Sequence, residues 1–444
     1  MLFKYSYFIL GLVIPIAWSC NSNQSKKAEN TTPADTVTTI TRDTVQLPEP
    51  YATKSTANFS NVKEWPQDKT PVAPAGFTVS RFADTLKNPR WIYIGPNGDI
   101  FVAESSTEKG GIKSAVKNAI SGKSKSQNSE ASANRITIFR DTDHNGIPEV
   151  RNVFLTGLNQ PLGMLILNNS FYVANTDGLM QFPYKEGQTS ITGKGKKILE
   201  LPAGGYNNHW TRNLLAGKDG KKIYITVGSG SNVAEHGIAN EVRRANILEI
   251  NPDGTGEKIY ASGIRNPVGL EYAPGTNVLW TSVNERDELG DELVPDYLTG
   301  VKEGGFYGWP YAYFGSHEDP RLKGQAPDLV KKTIVPDVSL GAHTASLGLA
   351  FDEKKNFPGK YAGGAFIGQH GSWNRSQLSG YKVVFVPFKN GKPTGPMEDF
   401  LTGFITGQDK DVFGRPAGVA FTQDGSLLVA DDAGNTIWRV AAKK

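Results

Sequence analysis

Short apolar runs of strand length, parted by Gly, Asn, Asp and Pro turns, fill the chain from about Val62 to Val440. Pairs such as Asn97-Gly98, Asp219-Gly220, Asn390-Gly391 and Asp424-Gly425 stand where hairpin turns belong. No stretch keeps a long helical period, so the pattern predicts an all-β protein. One phrase returns six times: an apolar strand opened by Pro-x-Gly or a relative, a turn, then a second short apolar strand. The copies read PRWIYIGPNGDIFVAES from Pro89, PLGMLILNNSFYVANT from Pro161, WTRNLLAGKDGKKIYITVG from Trp210 and PVGLEYAPGTNVLWTSVNE from Pro267, then SLGLAFDEKKNFPGKYAGGAFIGQHGS from Ser346 and PAGVAFTQDGSLLVADD from Pro416. Their starts lie roughly 50–80 residues apart, more than the ~40–50 of a bare four-stranded blade, so several copies carry insertions. Further strand pairs fall between them, including RITIFR, ANILEINPDG and GYKVVFVPFKNGKPTG. Six copies of about four strands each predict a six-bladed β-propeller over residues 62–444. The terminal NTIWRV is expected to pair with Phe77–Ala83 and close the ring.

In a propeller the innermost strand of each blade lines the central channel, so residues just before the phrase should meet at one mouth. Those residues are Asn88, Gln160, His209, Asn266 with Arg265, Ala345 with His343 and Thr344 close by, and Arg415. Turn capping alone would account for Asn88 and Asn266. It accounts poorly for His209, Arg415, Gln160 and Arg265. The set contains one imidazole (His209), two guanidiniums (Arg265 and Arg415), amides and the nearby His343-Thr344, and no carboxylate. Two arginines converging without acidic partners call for an anion between them, and their planar forks suit carboxylates. The expected guest is therefore flat and anionic. A neutral histidine beside it can serve as a general base near pH 7, and an arginine can stabilise charge developing on a carbonyl oxygen.

Composition narrows the class. The chain has 444 residues with 49 Gly and 26 Pro, which suits a turn-rich β protein, and its net charge of +4 is too small to argue for nucleic acid. Part of the surplus is local: Lys109, Lys113, Lys117, Lys123 and Lys125 lie in a Ser/Gly-rich run without an acid, which reads as a solvated surface insertion. Residues 1–19 read as a signal peptide, with Lys4, an apolar run Tyr5–Ala17 and small residues near a cut before Cys20. A cysteine there resembles the bacterial lipoprotein box and predicts lipid attachment at Cys20, hence a lipid-anchored protein of the bacterial cell envelope. Plain secretion and an uncleaved anchor are the alternatives. Residues 20–61, rich in Ser, Thr, Asn and Lys at their start, read as a flexible tether. Cys20 is the single cysteine, which excludes a disulfide, a Cys-liganded metal, an Fe–S cluster and a covalent c-type haem.

The phrases NNHWTRNLLAG, SGIRNPVGL, NERDELGDELVPDYLTGV, GGFYGWPYAYFG, AHTASLGLAF, QHGSWNRSQLSGYKVVFVPF and GRPAGVAFTQDGSLLVADD together resemble the soluble quinoprotein sugar dehydrogenases. The sorbosone dehydrogenase-like branch looks nearest, and the likeness runs from about Phe77 to the C-terminus. The resemblance implies a pyrroloquinoline quinone (PQQ) cofactor bound with calcium at one face of the propeller. It implies that His209 removes a sugar hydroxyl proton while hydride passes to the quinone, that Arg265 polarises the quinone carbonyl, and that Asn266, Arg415 and Gln160 hold the cofactor. It also implies a sugar substrate and an external electron acceptor. Two departures stand out. The glucose-oxidising relatives hold the cofactor's calcium with backbone carbonyls of a Gly-Pro pair, where this chain has Asn284-Glu285-Arg286-Asp287-Glu288. Backbone or side-chain oxygens of Arg286 and Asp287 are the expected replacements. A cofactor-binding lysine is missing too, with His370 or Arg375 the expected substitutes.

Asp141, Asp143 and Asn145 have the D-x-D-x-N-G spacing of a calcium loop, with Glu149 ninth and Asn152 twelfth, which is not an EF-hand. A structural calcium site and an Asx-rich turn remain equally open there. Gly305–Pro310 reads as packing between blades ahead of a sugar-stacking surface. Two rival functions stay on the page: a calcium-dependent propeller lactonase, and a carbohydrate- or protein-binding propeller without cofactor.

Overall fold

The computed structural model describes residues 45–107, 123–126, 131–143, 145–407 and 410–443. The signal peptide, Cys20, the first part of the tether and Lys109, Lys113 and Lys117 lie outside the described residues. Twenty-four strands form six four-stranded antiparallel sheets around a central channel. The six inner strands are Pro89–Ile94, Met164–Leu167, Leu214–Ala216, Pro267–Tyr272, Ser346–Phe351 and Pro416–Phe421, each within a copy of the repeated phrase. We number the blades one to six in that order. In blades one to five the chain runs outward through four consecutive strands, apart from an insertion in blade four and a short hairpin in blade five.

Strand alternation holds the blades together. In blade one, Phe101 and Ala103 pack toward blade two, while Ile100 and Val102 pack back toward blade six. Successive side chains on a strand point to opposite faces, so each sheet supplies half of two inter-blade cores. Six such clusters repeat around the ring. Phe77–Ala83 pairs antiparallel with Thr436–Ala442 as the outer strand of blade six, which is the predicted closure. Between Pro295–Gly300 and Val338–Ala342, blade four carries the insertion, and its Gly305–Phe306 adds in parallel to the outer edge of blade three. Trp309 is buried there, its Nε1 donating to Asn232 O at 3.0 Å, which is the packing role expected for this segment.

One sequence boundary is corrected. From Val45 the chain already lies against the propeller, with Val45 and Leu47 packed on the blade-four core and Asn61–Val62 paired with Asp411–Val412. The tether expected to run to residue 61 therefore ends no later than residue 44. In the lysine-rich insertion of blade one, Lys125 is exposed, while Ser126 just after it is buried and its carbonyl accepts Arg415 Nη1 at 3.0 Å.

Candidate active site

One end of the channel opens into a cavity of about 430 Å³, within the range of small-molecule sites (~300–1,000 Å³). Leading residues of five copies reach it: Asn88, His209, Arg265 with Asn266, Ala345, and Arg415. His370, Asp287, Arg90 and Asp432 share its wall. A separate cavity of about 510 Å³, lined by the far ends of the inner strands, occupies the other half of the channel.

His209 lies on the loop entering blade three. Its Nδ1 is 2.9 Å from Ser229 O and 2.9 Å from Ser229 Oγ. The carbonyl can only accept, and the Ser229 hydroxyl donates its own hydrogen to Ser231 O, so Nδ1 carries the imidazole proton. Nε2 is left with its lone pair and has no hydrogen-bond partner among the described residues. Burial, then the Arg265 charge, pushes this histidine well below the usual imidazole range, so it is neutral at physiological pH. Gly228 makes the fit possible: a Cβ there would stand 2.5 Å from Asn266 Oδ1 and 2.6 Å from His209 Cβ.

Arg265 is fixed in place. Its Nε and Nη2 donate to Asn232 O and Asn232 Oδ1 (3.1 and 2.8 Å), and Nη1 donates to Asn284 O and Glu285 O (3.1 and 2.6 Å). Asp287 Oδ2 stands 3.5 Å from Nη2. Arg415 donates to His370 O, Ser126 O and Gly371 O, all neutral acceptors. Asn266 Oδ1 is buried without a partner. His370 Nε2 lies 2.9 Å from both oxygens of Asp432, which also pairs with Arg90. Burial, then Arg415, lowers His370 to about 3, so it is neutral beside an ionised Asp432.

The expectation of a carboxylate-free mouth is overturned. Asp287, Glu288, Glu235 and Asp432 all border the cavity. Asp287 is held by His343, whose Nδ1 reaches Asp287 Oδ1 at 3.0 Å while Nε2 reaches Gly290 O at 2.8 Å. Both partners accept, so His343 is an imidazolium. Burial opposes that charge, but the Asp287 hydrogen bond and charge outweigh it and raise the pKa.

Three expected site residues do not line the cavity. Gln160 sits behind the wall, its Nε2 donating to Ser106 O at 3.0 Å. Arg375 is drawn away by Glu292 (2.5 Å) and Ala342 O. Arg286 is buried in an ion pair with Asp319 at 3.2 Å, and its carbonyl faces Val294 N. The loop Asp141–Glu149 lies on the outer part of blade one. Asp141, Asp143 and Asn145 accept backbone amides within the loop, as in an Asx-rich turn, while Asp141, Asp143 and Glu149 bring oxygens within 4.8 Å of one another. Residues missed from the sequence include Arg90, Ser229 and Phe59; Asp432, which reads from the sequence as a turn residue, lines the cavity, and Trp373, whose neighbours His370 and Arg375 favour the site, stacks with Phe59 at the rim.

Comparison with known proteins agrees with this architecture. A family model described as TrAA12-like matches residues 71–296 and 326–443. An uncharacterised protein of Borreliella burgdorferi is 30% identical over 387 residues, covering 84% of this chain and 90% of that one. Over 113 residues, 24% of this chain and 28% of the relative, an aldose sugar dehydrogenase of Escherichia coli is 32% identical. Among solved structures, the holo PQQ domain of pyranose dehydrogenase from Coprinopsis cinerea superposes with a TM-score of 0.67 at 18% identity, over 87% of this chain and 100% of that one. The calcium structure of the Trichoderma reesei family AA12 enzyme gives 0.64 at 18% identity, over 84% and 97%. At such identities these likenesses show the shared fold. With a family model covering most of its length, the chain belongs to the TrAA12-like family.

Proposed function

We propose that the protein is a PQQ-dependent sugar dehydrogenase that oxidises an aldose or a related sugar, the sorbosone type included. The observation that carries this reading is the neutral His209, tautomer fixed through Ser229, with its Nε2 lone pair left for substrate beside a wall that carries Arg265 and Arg415. The wall fits a flat anion. Arg415 spends its donors on neutral carbonyls and so keeps its charge uncompensated by a bonded acid, and Asn266 Oδ1 is a buried polar atom awaiting a partner. PQQ would be held by Arg415, Arg90, His370 and Asn266. When bound, it supplies an ortho-quinone that accepts the hydride leaving the sugar carbon. The shared fold of the holo PQQ domain from Coprinopsis cinerea supports the assignment.

Calcium finds a sparser site. Glu235, Asp287, Glu288 and Asp432 border the cavity, but among the described residues no three of its acidic or histidine side chains bring ligand atoms within 4.8 Å of one another. Any calcium there would draw on carbonyl and amide oxygens, with Asp287 and Glu288 the carboxylates of its expected segment that line the cavity. The same absence argues against a lactonase whose metal sits in an acidic cage.

The protein's own groups account for the proton. A hydroxyl donating to His209 Nε2 passes its proton to a base that is ready at neutral pH, and Ser229 holds the ring as it becomes charged. Arg265 contributes a fixed positive charge beside the imidazole rather than a free fork. The reading includes the cell envelope as the site of action, with lipid on Cys20 and electrons leaving to an external acceptor.

Titrating the protein with PQQ and calcium should change the quinone absorbance saturably, and dye reduction should then follow with one or more sugars. His209→Gln should lower kcat by about 10²–10⁴ while quinone binding persists. Absent spectral change, or full activity in His209→Gln, overturns the assignment. Lactone hydrolysis without quinone, or glycan binding without turnover, would favour the rivals instead.

A further inference from the structure

The N-terminal segment is part of the rim of the cavity. Residues 45–62 bridge two loops that border it. On the blade-four side, Tyr51 N–H donates to Leu289 O at 2.8 Å, Ser55 Oγ accepts Gly290 N–H at 3.1 Å, and Thr53 Oγ1 accepts Asp291 N–H at 2.7 Å. Gly290 permits this approach, since a Cβ there would stand 2.8 Å from Thr53 Oγ1. The same loop carries Asp287 and Glu288, which line the cavity. On the blade-five side, Asn58 N–H donates to Trp373 O at 2.7 Å and Asn58 Nδ2 to Ser376 O at 3.0 Å. Phe59 then lies on Trp373, with ring centroids 5.7 Å apart and planes 15° from parallel.

Trp373 is the exposed member of the described tryptophans, at 38%, and it lines the cavity with Phe59, His209 and His370. Phe59 covers one of its faces and leaves the rest of the ring at the entrance. A large rigid aromatic placed there suits the apolar C–H face of a sugar ring. No other contact described for Phe59 explains why the segment brings an aromatic ring to this point.

We propose that Trp373 is a stacking platform for the incoming sugar ring and that Phe59, supplied by the N-terminal segment, is the positioning residue that holds it. The proposal rests on the sugar dehydrogenase reading and adds a specificity element outside the repeated blades.

The test uses the full chain loaded with PQQ and calcium. Phe59→Leu keeps apolar bulk and removes the ring, and Phe59→Tyr keeps the ring. Phe59→Leu should raise KM for the best sugar roughly three- to tenfold, the scale of a lost aromatic stack, with kcat within about twofold. Phe59→Tyr should restore the wild-type KM, and Trp373→Ala should raise KM at least as far as Phe59→Leu. Quinone titration of each variant should give the wild-type affinity. An unchanged KM in Phe59→Leu, a fall in kcat or quinone affinity instead, or a failure of Phe59→Tyr to restore KM overturns the proposal. A wild-type protein that binds quinone and reduces dye while Phe59→Leu behaves identically sinks this inference alone. A wild-type protein inactive with every sugar sinks the parent reading.

Discussion

At the scale of the residue, the site depends on a histidine kept uncharged by burial and, after it, by positive neighbours. Arg212 is fully buried and has no acidic partner among the described residues; it donates to His209 O at 2.6 Å, Thr211 O at 2.9 Å, Pro202 O at 2.8 Å and Asn207 Oδ1 at 3.1 Å. Burying a guanidinium on neutral oxygens is costly, and burial, then Arg244, lowers its pKa to about 9. What the fold gains is a loop that cannot slide and a positive field at His209. The sign of the effect on activity follows. A base works when neutral, and the His209 pKa is lowered, so the acid limb of kcat/KM should fall well below pH 6.5 with a plateau above it. Replacing Arg265 by Gln removes the charge that, after burial, does most to lower this pKa, and should move that limb upward toward pH 6.5. A pH–rate profile of both proteins checks this. A limb already at 6.5 in the wild type, or one that does not move, would show that the field is not what sets the proton.

At the scale of the element, the logic is that of a hairpin. The first two strands of each blade are antiparallel, so the start of the first and the end of the second stand at the same rim. Reading the leading ends found His209, Arg265, Asn266 and Arg415. The trailing ends were equally visible in the same phrases: Asn284 after TSV, His370 after GQ, Asp432 after VAD, and Ser229 after TVG. Those positions supply the carboxylate beside Arg90 and the anchor of His209, which is why a mouth judged from one end of the hairpin looked free of acid. Arg286, Arg375 and Gln160 were misplaced for a different reason. Their local spacing puts them near the rim, but Asp319, Glu292 and Ser106, remote in sequence, decide where the side chains turn. The hairpin also yields a prediction. Gly228 ends the second strand of blade three where His209 and Asn266 close over it. Gly228→Ala needs both to shift by several tenths of an ångström or more, so it should sharply weaken quinone binding and turnover while circular dichroism stays that of the wild type. Wild-type quinone affinity in this variant would mean that the close approach is dispensable.

At the scale of the whole molecule, alternation and repeat made the ring legible, because each blade must bury both faces and only a closed circle leaves none exposed. The tether and the lysine-rich insertion were less legible. Their composition is polar, and what holds residues 45–62 and Ser126 is hydrogen bonding to distant loops rather than an apolar period. Closure is noncovalent and rests on one strand. Phe77–Ala83 buries Phe77 and Phe82 and covers the edge of Thr436–Ala442. Those two phenylalanines contribute about 1.5–3 kcal/mol each, against a total domain stability of about 5–15 kcal/mol. Trp65 adds a hydrogen bond from Nε1 to Asp431 Oδ2 at 2.7 Å just upstream. Removing residues 45–84 should therefore leave no cooperative melt and a chain that aggregates through its open edge. The geometry also says how to repair it. Lys443 N–H donates to Gly76 O at 2.8 Å, so the C-terminus and the start of the closing strand already stand as the two sides of a hairpin. Appending residues 76–84 after residue 443 through a short glycine link should restore a cooperative thermal transition to the truncated chain, since a short loop costs less entropy to close than the whole ring. A truncated chain that melts like the wild type, or an appended strand that restores nothing, would mean that the six inter-blade cores hold the ring without this seam.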